Sequence, residues 1–229
     1  MKILTWNLGY WQFKSRHEEA WKYICDEIRP DVALLQEVRP IERVLNNGSI
    51  VFEKYIKDWG TAVYSGSLPL SRIAVISNPG RVAIASADIN NSVVTFVSIH
   101  APIIRGVVFP HLDDIFSELE SMPFVGMAVI GGDLNSARLA EKVWPEYGHG
   151  PFWDRIDRGD IWVDCCRRFN GVEIQTIFKK VGVNPFQDDH IFVSPSLARG
   201  LKSCNVIYNQ FTRSVSDHIP LVVEMEITE

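Results

Sequence analysis

The chain has 229 residues, 46% of them hydrophobic and 22% charged, with a formal net charge of −5. Such a composition supports a sizeable globular core and contains no apolar run long enough to span a bilayer. The acidic balance argues against a generic nucleic-acid coat, whose affinity comes from neutralising phosphates. It leaves room for a local basic cleft.

In chain order, residues 2–8 read as a strand. Residues 15–28 place Ala20, Trp21, Ile24, Cys25 and Ile28 on one helical face, with Pro30 as a stop. Residues 31–37, apolar on both faces, read as a second strand, and 59–65 and 72–77 as two more. The strands 81–89 and 92–100 flank Asn90-Asn91, a hairpin signal. Pro110 opens a helix carrying Leu112, Ile115, Phe116 and Leu119 at helical spacing. Residues 127–132 form a short buried strand, and a Gly/Trp-rich stretch with two short helices runs to about residue 160. Later strands are expected near 174–179, 189–194, 204–209 and 219–227. No linker-like shift divides the chain, so residues 1–229 read as one domain. Two-faced apolar strands imply sheets packed face to face with helices outside them.

The four cysteines, Cys25, Cys165, Cys166 and Cys204, fit no zinc spacing. Free thiols in a reducing compartment are expected. The opening MKILTWNLG carries no long apolar signal core. A cytoplasmic location is therefore expected, a secreted mature form being the alternative.

Polar residues recur at strand ends. Asn7 closes the first strand, Glu37 the second and His100 the strand 92–100. Asp133 and Asn135 follow the apolar run AVIGG. Asp189 opens a late strand, chosen over its neighbour Asp188 because the apolar pattern starts after it. Asp217 and His218 precede the last strand. If late strands run opposite to early ones, all these groups meet at one sheet edge. Carboxylates and carboxamides without cysteine suit a hard divalent ion such as Mg2+ or Mn2+.

The motifs Trp6-Asn7, Gln36-Glu37, Ser98-Ile99-His100, Gly131-Gly132-Asp133-Leu134-Asn135, Asp189-His190-Ile191-Phe192 and Ser216-Asp217-His218 resemble, in order and rough spacing, the endonuclease/exonuclease/phosphatase superfamily. That resemblance implies an α/β (α+β) fold, a four-layer αββα sandwich with two central mixed, mostly antiparallel sheets. It also implies a divalent metal held by Glu37 with Asn7 and Asp217, and a water oriented by Asp133 and Asn135. Asp189 resembles the late-strand acid. His218 resembles the imidazole that acts on the phosphate, with Asp217 as its orienting carboxylate, although neighbours on an extended segment point opposite ways. His100 matches a position that is His in deoxyribonucleases and Tyr in many apurinic endonucleases. The deoxyribonuclease branch has a Glu partner for that His, and none is evident in the sequence.

The leading reading is a nuclease. The alternative is a phosphatase or phosphodiesterase for a small phosphoester or lipid headgroup: an inositol phosphate, sphingomyelin or a cyclic nucleotide. A monomer without membrane insertion is expected. Candidate phosphate-binding bases are Arg72, Arg105, Arg138, Arg167 and Arg213. Candidate stacking groups are Trp11, Phe13, Trp153, Phe186 and Phe211.

Overall fold

The computed structural model describes residues 1–229 except 75–76, 105, 109, 124, 179–184 and 228–229. The elements run β1 (Lys2–Asn7), α1 (His17–Tyr23), β2 (Val32–Val38), α2 (Glu42–Asn47), β3 (Ser49–Ile56), β4 (Trp59–Ser65), β5 (Ser71–Ile73), β6 (Val82–Ile89) and β7 (Ser92–His100). They continue α3 (His111–Glu120), β8 (Ala128–Asp133), α4 (Arg138–Val143), α5 (Gly150–Arg158), β9 (Val163–Asp164), α6 (Cys165–Asn170), β10 (Asp189–Val193), α7 (Pro195–Ala198), β11 (Leu201–Val206), α8 (Gln210–Val215) and β12 (Leu221–Met225).

Two six-stranded sheets form, in the orders β11-β12-β1-β2-β4-β3 and β5-β6-β7-β8-β10-β9. Each has one parallel pair at its centre, β1 with β2 and β7 with β8. The remaining pairs are antiparallel. Alternation builds the layers. On β2, Val32 and Leu34 face the other sheet, among Phe96, Val129 and Ile191. Ala33 and Leu35 face outward, onto Trp21 and Ile24. On β8, Val129 points between the sheets, while Ala128 and Ile130 pack outward with Leu112, Phe116, Phe152 and Trp162. Helix, sheet, sheet, helix is the four-layer αββα order expected from the two-faced strands.

The β6–β7 hairpin turns through Asn90 and Asn91, both at positive φ (51° and 64°). Such a turn matches strand twist, and Asn tolerates it better than most residues. Three expectations need correction. The stretch 174–178 forms no strand and makes only the isolated bridge Ile177 to His218; residue 179 lies outside the described residues. Its backbone instead pairs with loops, Thr176 N to Phe186 O at 3.0 Å and Phe178 N to Asp217 O at 2.8 Å. The strand expected at 72–77 is β5, three residues long, with 75–76 outside the described set. The strand expected at 204–209 begins earlier, at Leu201. The strand β3 and the helix α2 carried no clear signal.

At Gly132 an added Cβ would lie 1.8 Å from the Ile99 carbonyl oxygen. The close approach of β7 and β8 that sets Asp133 beside His100 therefore requires glycine. Gly132→Ala should lower unfolding stability by roughly 3 kcal/mol, measured by urea denaturation. An unchanged midpoint would contradict this reading.

Candidate functional site

The early strands end, and the late strands begin, at the same edge. There a cavity of about 260 Å³ is lined by Asn7, Glu37, His100, Asp133, Asn135, Asp217 and His218, together with Arg81, Gln12 and Ile103. Asp189, fully buried, lies behind His218. All eight candidates from the sequence thus come together.

Local backbone explains how each side chain reaches the cavity. Glu37 has φ 45° and sits where the β2–β4 register slips between Leu35 and Val38. A bulge of this kind re-aims one side chain, and a left-handed glutamate is strained enough to need a reason. Asn135, also left-handed (φ 49°), donates Nδ2–H to the Ala101 carbonyl at 3.0 Å, while its own N–H donates to Asp133 Oδ1 at 2.9 Å. Asn7 donates Nδ2–H to Asp133 Oδ2 at 2.8 Å and accepts from Gly9 N–H at 2.9 Å. Ser216 ties the last loop down. Its hydroxyl donates to the Asn7 carbonyl at 2.7 Å and accepts from His218 N–H at 3.0 Å. Trp6 adds an indole N–H to the His218 carbonyl at 3.0 Å.

The orienting carboxylate of His218 is Asp189, with Nδ1 2.8 Å from Oδ2, and this corrects the assignment to Asp217. Adjacent residues on extended chain diverge. The Asp217 side chain, half-buried, remains on the cavity wall beside Gly9. Asp188 directs its carbonyl to Leu134 N–H at 2.8 Å.

Both imidazoles present Nε2 to Asp133 Oδ2, at 3.8 Å each, and His100 Nε2 is 3.6 Å from Glu37 Oε1. Their protonation differs. Burial lowers the His218 pKa, but Asp189 and Asp133 outweigh it and raise it well above the ordinary value, which favours the imidazolium. Burial pushes His100 down to about 4, assisted by the Arg81 charge, so it is neutral. Glu37 is pushed up to about 7, first by burial and then by Asp133. Its Oε2 is buried without a hydrogen-bond partner among the described residues.

Among the described residues no three His, Cys, Asp or Glu side chains form a ready-made cation cage. The oxygen donors still fit a hard divalent ion, which takes one or two carboxylates and borrows the rest from water and substrate. A carboxylate with an orphaned oxygen, beside other carboxylates, is the position such an ion would satisfy.

The sequence candidates around the site fare unevenly. Trp11 is 63% exposed beside the cavity residue Gln12, but Trp153 and Phe186 are buried. Phe211 packs against Tyr23 and under Arg16. Arg138 is held by Asp157 and Asp164, Arg167 by Asp157 and Arg72 by Glu53; Arg213 donates to the Phe178 carbonyl. Arg105 lies outside the described residues. Among the described residues the arginine that lines the cavity is Arg81, which the sequence did not single out. It precedes a strand with no motif around it, and only the hairpin's geometry brings it under His100.

The Endonuclease/Exonuclease/phosphatase family model matches residues 4–218, and the chain belongs to that family. Its members are divalent-metal-dependent hydrolases of phosphoester bonds. The chain is similar to a 3'-5' exonuclease (NExo) from Neisseria meningitidis, at 22% identity over 99% of this chain and 100% of that one, TM-score 0.70. It is similar to an AP endonuclease from Archaeoglobus fulgidus, at 19% identity over 99% and 100%, TM-score 0.71. It is also similar to D. rerio TDP2, solved with a single-strand DNA product, at 17% identity over 97% of each chain, TM-score 0.70. No match was found among curated proteins. Among the described residues no helix is long and apolar enough to cross a membrane.

The raised Glu37 pKa has a stability consequence with a definite sign. A carboxyl that holds its proton more tightly when folded favours folding below its unfolded pKa, near 4.5, and loses that stability as pH rises through about 7. Without metal, Glu37→Gln should therefore stabilise the protein by about 2–3 kcal/mol at pH 8 and change little at pH 4. Urea unfolding in chelator checks this. Added Mg2+ or Mn2+ should stabilise the wild type and not the variant. A variant less stable than wild type at pH 8 in chelator would refute the buried-charge account.

Proposed function

We propose that the protein is a nuclease that hydrolyses polynucleotide phosphodiester bonds, with Mg2+ or Mn2+ held by Glu37, Asn7 and Asp217. The observation that carries the choice of a polymer is the exposed apolar surface at the cavity: Ile103 in its lining, 55% exposed, and Trp11, 63% exposed and next in sequence to the lining residue Gln12. Such residues suit contact with nucleotides that flank the scissile phosphate. DNA is bound in the NExo and TDP2 structures named for such complexes, which supports a nucleic-acid substrate for this chain.

In this reading the metal, when bound, supplies charge neutralisation at the phosphate and lowers the pKa of a nucleophilic water. Asp133 accepts the proton of the attacking water. Asn7 and the Asn135 N–H fix the Asp133 carboxylate so that Oδ2 faces the cavity. His218, charged and anchored by Asp189, stabilises the negative charge that grows on the phosphoryl oxygens. His100 donates a further hydrogen bond from Nε2. The new P–O bond forms to water as the bond to the leaving oxygen breaks, and solvent protonates that oxygen. The chain is read as one domain, 1–229, since both sheets contribute to the one site. Four cysteines without disulfides suit a reducing, cytoplasmic setting.

The test is a metal-supplemented panel of single- and double-stranded DNA, abasic DNA, RNA, a cyclic dinucleotide, inositol phosphates and sphingomyelin. Turnover should be greatest on a nucleic acid, absent in chelator, and lower as salt rises. Much faster turnover of an inositol phosphate or lipid would overturn the polymer reading. His218→Ala and Asp133→Asn should each lower kcat by about a hundredfold or more. Near wild-type turnover in either would remove that residue from the chemical step.

A further inference from the structure

Arg81 lines the cavity, and its Nη1 lies 3.3 Å from His100 Nδ1. A guanidinium has only donors. The nitrogen that faces it must therefore present a lone pair, and in a neutral imidazole the proton then sits on Nε2. The opposite edge of the ring agrees. Nε2 faces Glu37 Oε1 at 3.6 Å and Asp133 Oδ2 at 3.8 Å, compatible with a proton on Nε2 but too long for hydrogen bonds that would hold it there without Arg81.

The arginine is itself held in place. Its carbonyl accepts the His100 N–H at 2.8 Å, so Arg81, just before β6, and His100, at the end of β7, are fixed neighbours. Its guanidinium carbon lies 4.1 Å from the Tyr55 ring centroid, a cation–π distance. The preceding Gly80, at φ 75°, leaves no room for a side chain, since a Cβ would sit 2.3 Å from Tyr55 Cα. Its carbonyl accepts the Thr61 hydroxyl at 2.9 Å. Among the described residues no carboxylate pairs with Arg81, whereas Arg138, Arg155 and Arg167 each grip acids. Charge pairing therefore does not account for its position; the Tyr55 ring and the imidazole are its side-chain contacts.

We propose that Arg81 is a positioning residue that fixes the tautomer of His100, so that His100 serves the reaction as a donor through Nε2. The contrast with His218 sharpens the point. There Nδ1 faces the Asp189 carboxylate and must carry a proton. Two rings that converge on one Asp133 oxygen thus have opposite partners at Nδ1. His100 has no route to pass a proton through its far nitrogen, because Arg81 closes it. Its role is a directed hydrogen bond to a non-bridging phosphate oxygen. This step rests on the phosphoester reading of the site; the tautomer itself does not.

The test uses the full chain labelled with 15N-histidine, with the His100 signals assigned by their loss in His100→Ala. Long-range 1H–15N spectra at pH 7.5, a neutral-imidazole condition set by buffer at about one unit above the ordinary histidine value, should show a pyridine-type Nδ1 and a pyrrole-type Nε2. Arg81→Met should give averaged signals of mixed tautomers, and Arg81→Lys, which keeps a donor, should restore most of the wild-type pattern. On the best substrate of the panel, Arg81→Met should lower kcat by about tenfold with little change in KM, and Arg81→Lys should recover part of it. In the His100→Ala background, Arg81→Met should cost less than about twofold more. An unchanged His100 tautomer in Arg81→Met would overturn the proposal. So would an undiminished loss of kcat in the His100→Ala background, since Arg81 would then act on the substrate itself. If no nucleic acid is turned over, the spectra still decide the tautomer, and only the nuclease reading fails.

Discussion

Two buried hydrogen bonds cross from one sheet to the other at the end where the apolar packing stops. Asn7 on β1 reaches Asp133 on β8, and His218 beside β12 reaches Asp189 on β10. Deeper in, Gln36 on β2 donates to Ser98 on β7 at 2.9 Å, and Ser98 donates to the Leu35 carbonyl. Hydrophobic contact between sheets is non-directional and tolerates sliding. A buried carboxylate does not, because losing its donor leaves a costly unpaired charge. This polar seam therefore fixes how the sheets meet, and the same atoms form the cavity wall. The alignment of the sandwich and the geometry of the site are one constraint.

That seam carries more negative charge than it balances. Glu37, Asp133 and Asp217 face the cavity, and the cationic groups set against them in its lining are Arg81 and His218, whose pKa is raised well above the ordinary value. Burial and Asp133 together hold Glu37 near neutrality, and its left-handed backbone adds strain. A fold optimised only for stability would not keep an ionisable group there. Such local frustration is characteristic of sites that complete themselves with a bound cation or ligand. The metal dependence of the family gives this imbalance its purpose.

The sequence revealed the αββα layers because Val32 to Leu35 and Ala128 to Ile130 are apolar on both faces, a local and periodic signal. The strand-end polar residues that meet at the cavity were legible too, because each is set by its own strand. The sequence failed where partners decide. The stretch 174–178 has a strand's composition, but it crosses the strand ends and bonds to loops. On β3, Glu53 and Lys54 interrupt the apolar pattern because an edge strand is half solvated. That Asp217 and His218 diverge was legible from their adjacency, but the partner of His218 was not, since a second sheet supplies Asp189. Arginines near motifs were candidates by proximity in sequence, yet Arg138 and Arg167 are bound to acids in three dimensions.

Arg81 shows the same limit from the other side. Nothing in its neighbourhood along the chain marks it, and its importance comes wholly from what lies across the β6–β7 pair. The two histidines were equivalent in sequence, each a strand-end imidazole. What separates them is the partner at the far nitrogen: a carboxylate demands a proton there, and a guanidinium forbids one. Low dielectric strengthens both demands. One ring is thereby biased toward the imidazolium and the other toward a single proton on Nε2, although both point the same atom at Asp133. Environments that drive like groups to opposite protonation states are how a site obtains two chemical roles from one residue type. In this fold the division is made by the sheets themselves, since β10 brings the acid and the start of β6 brings the base.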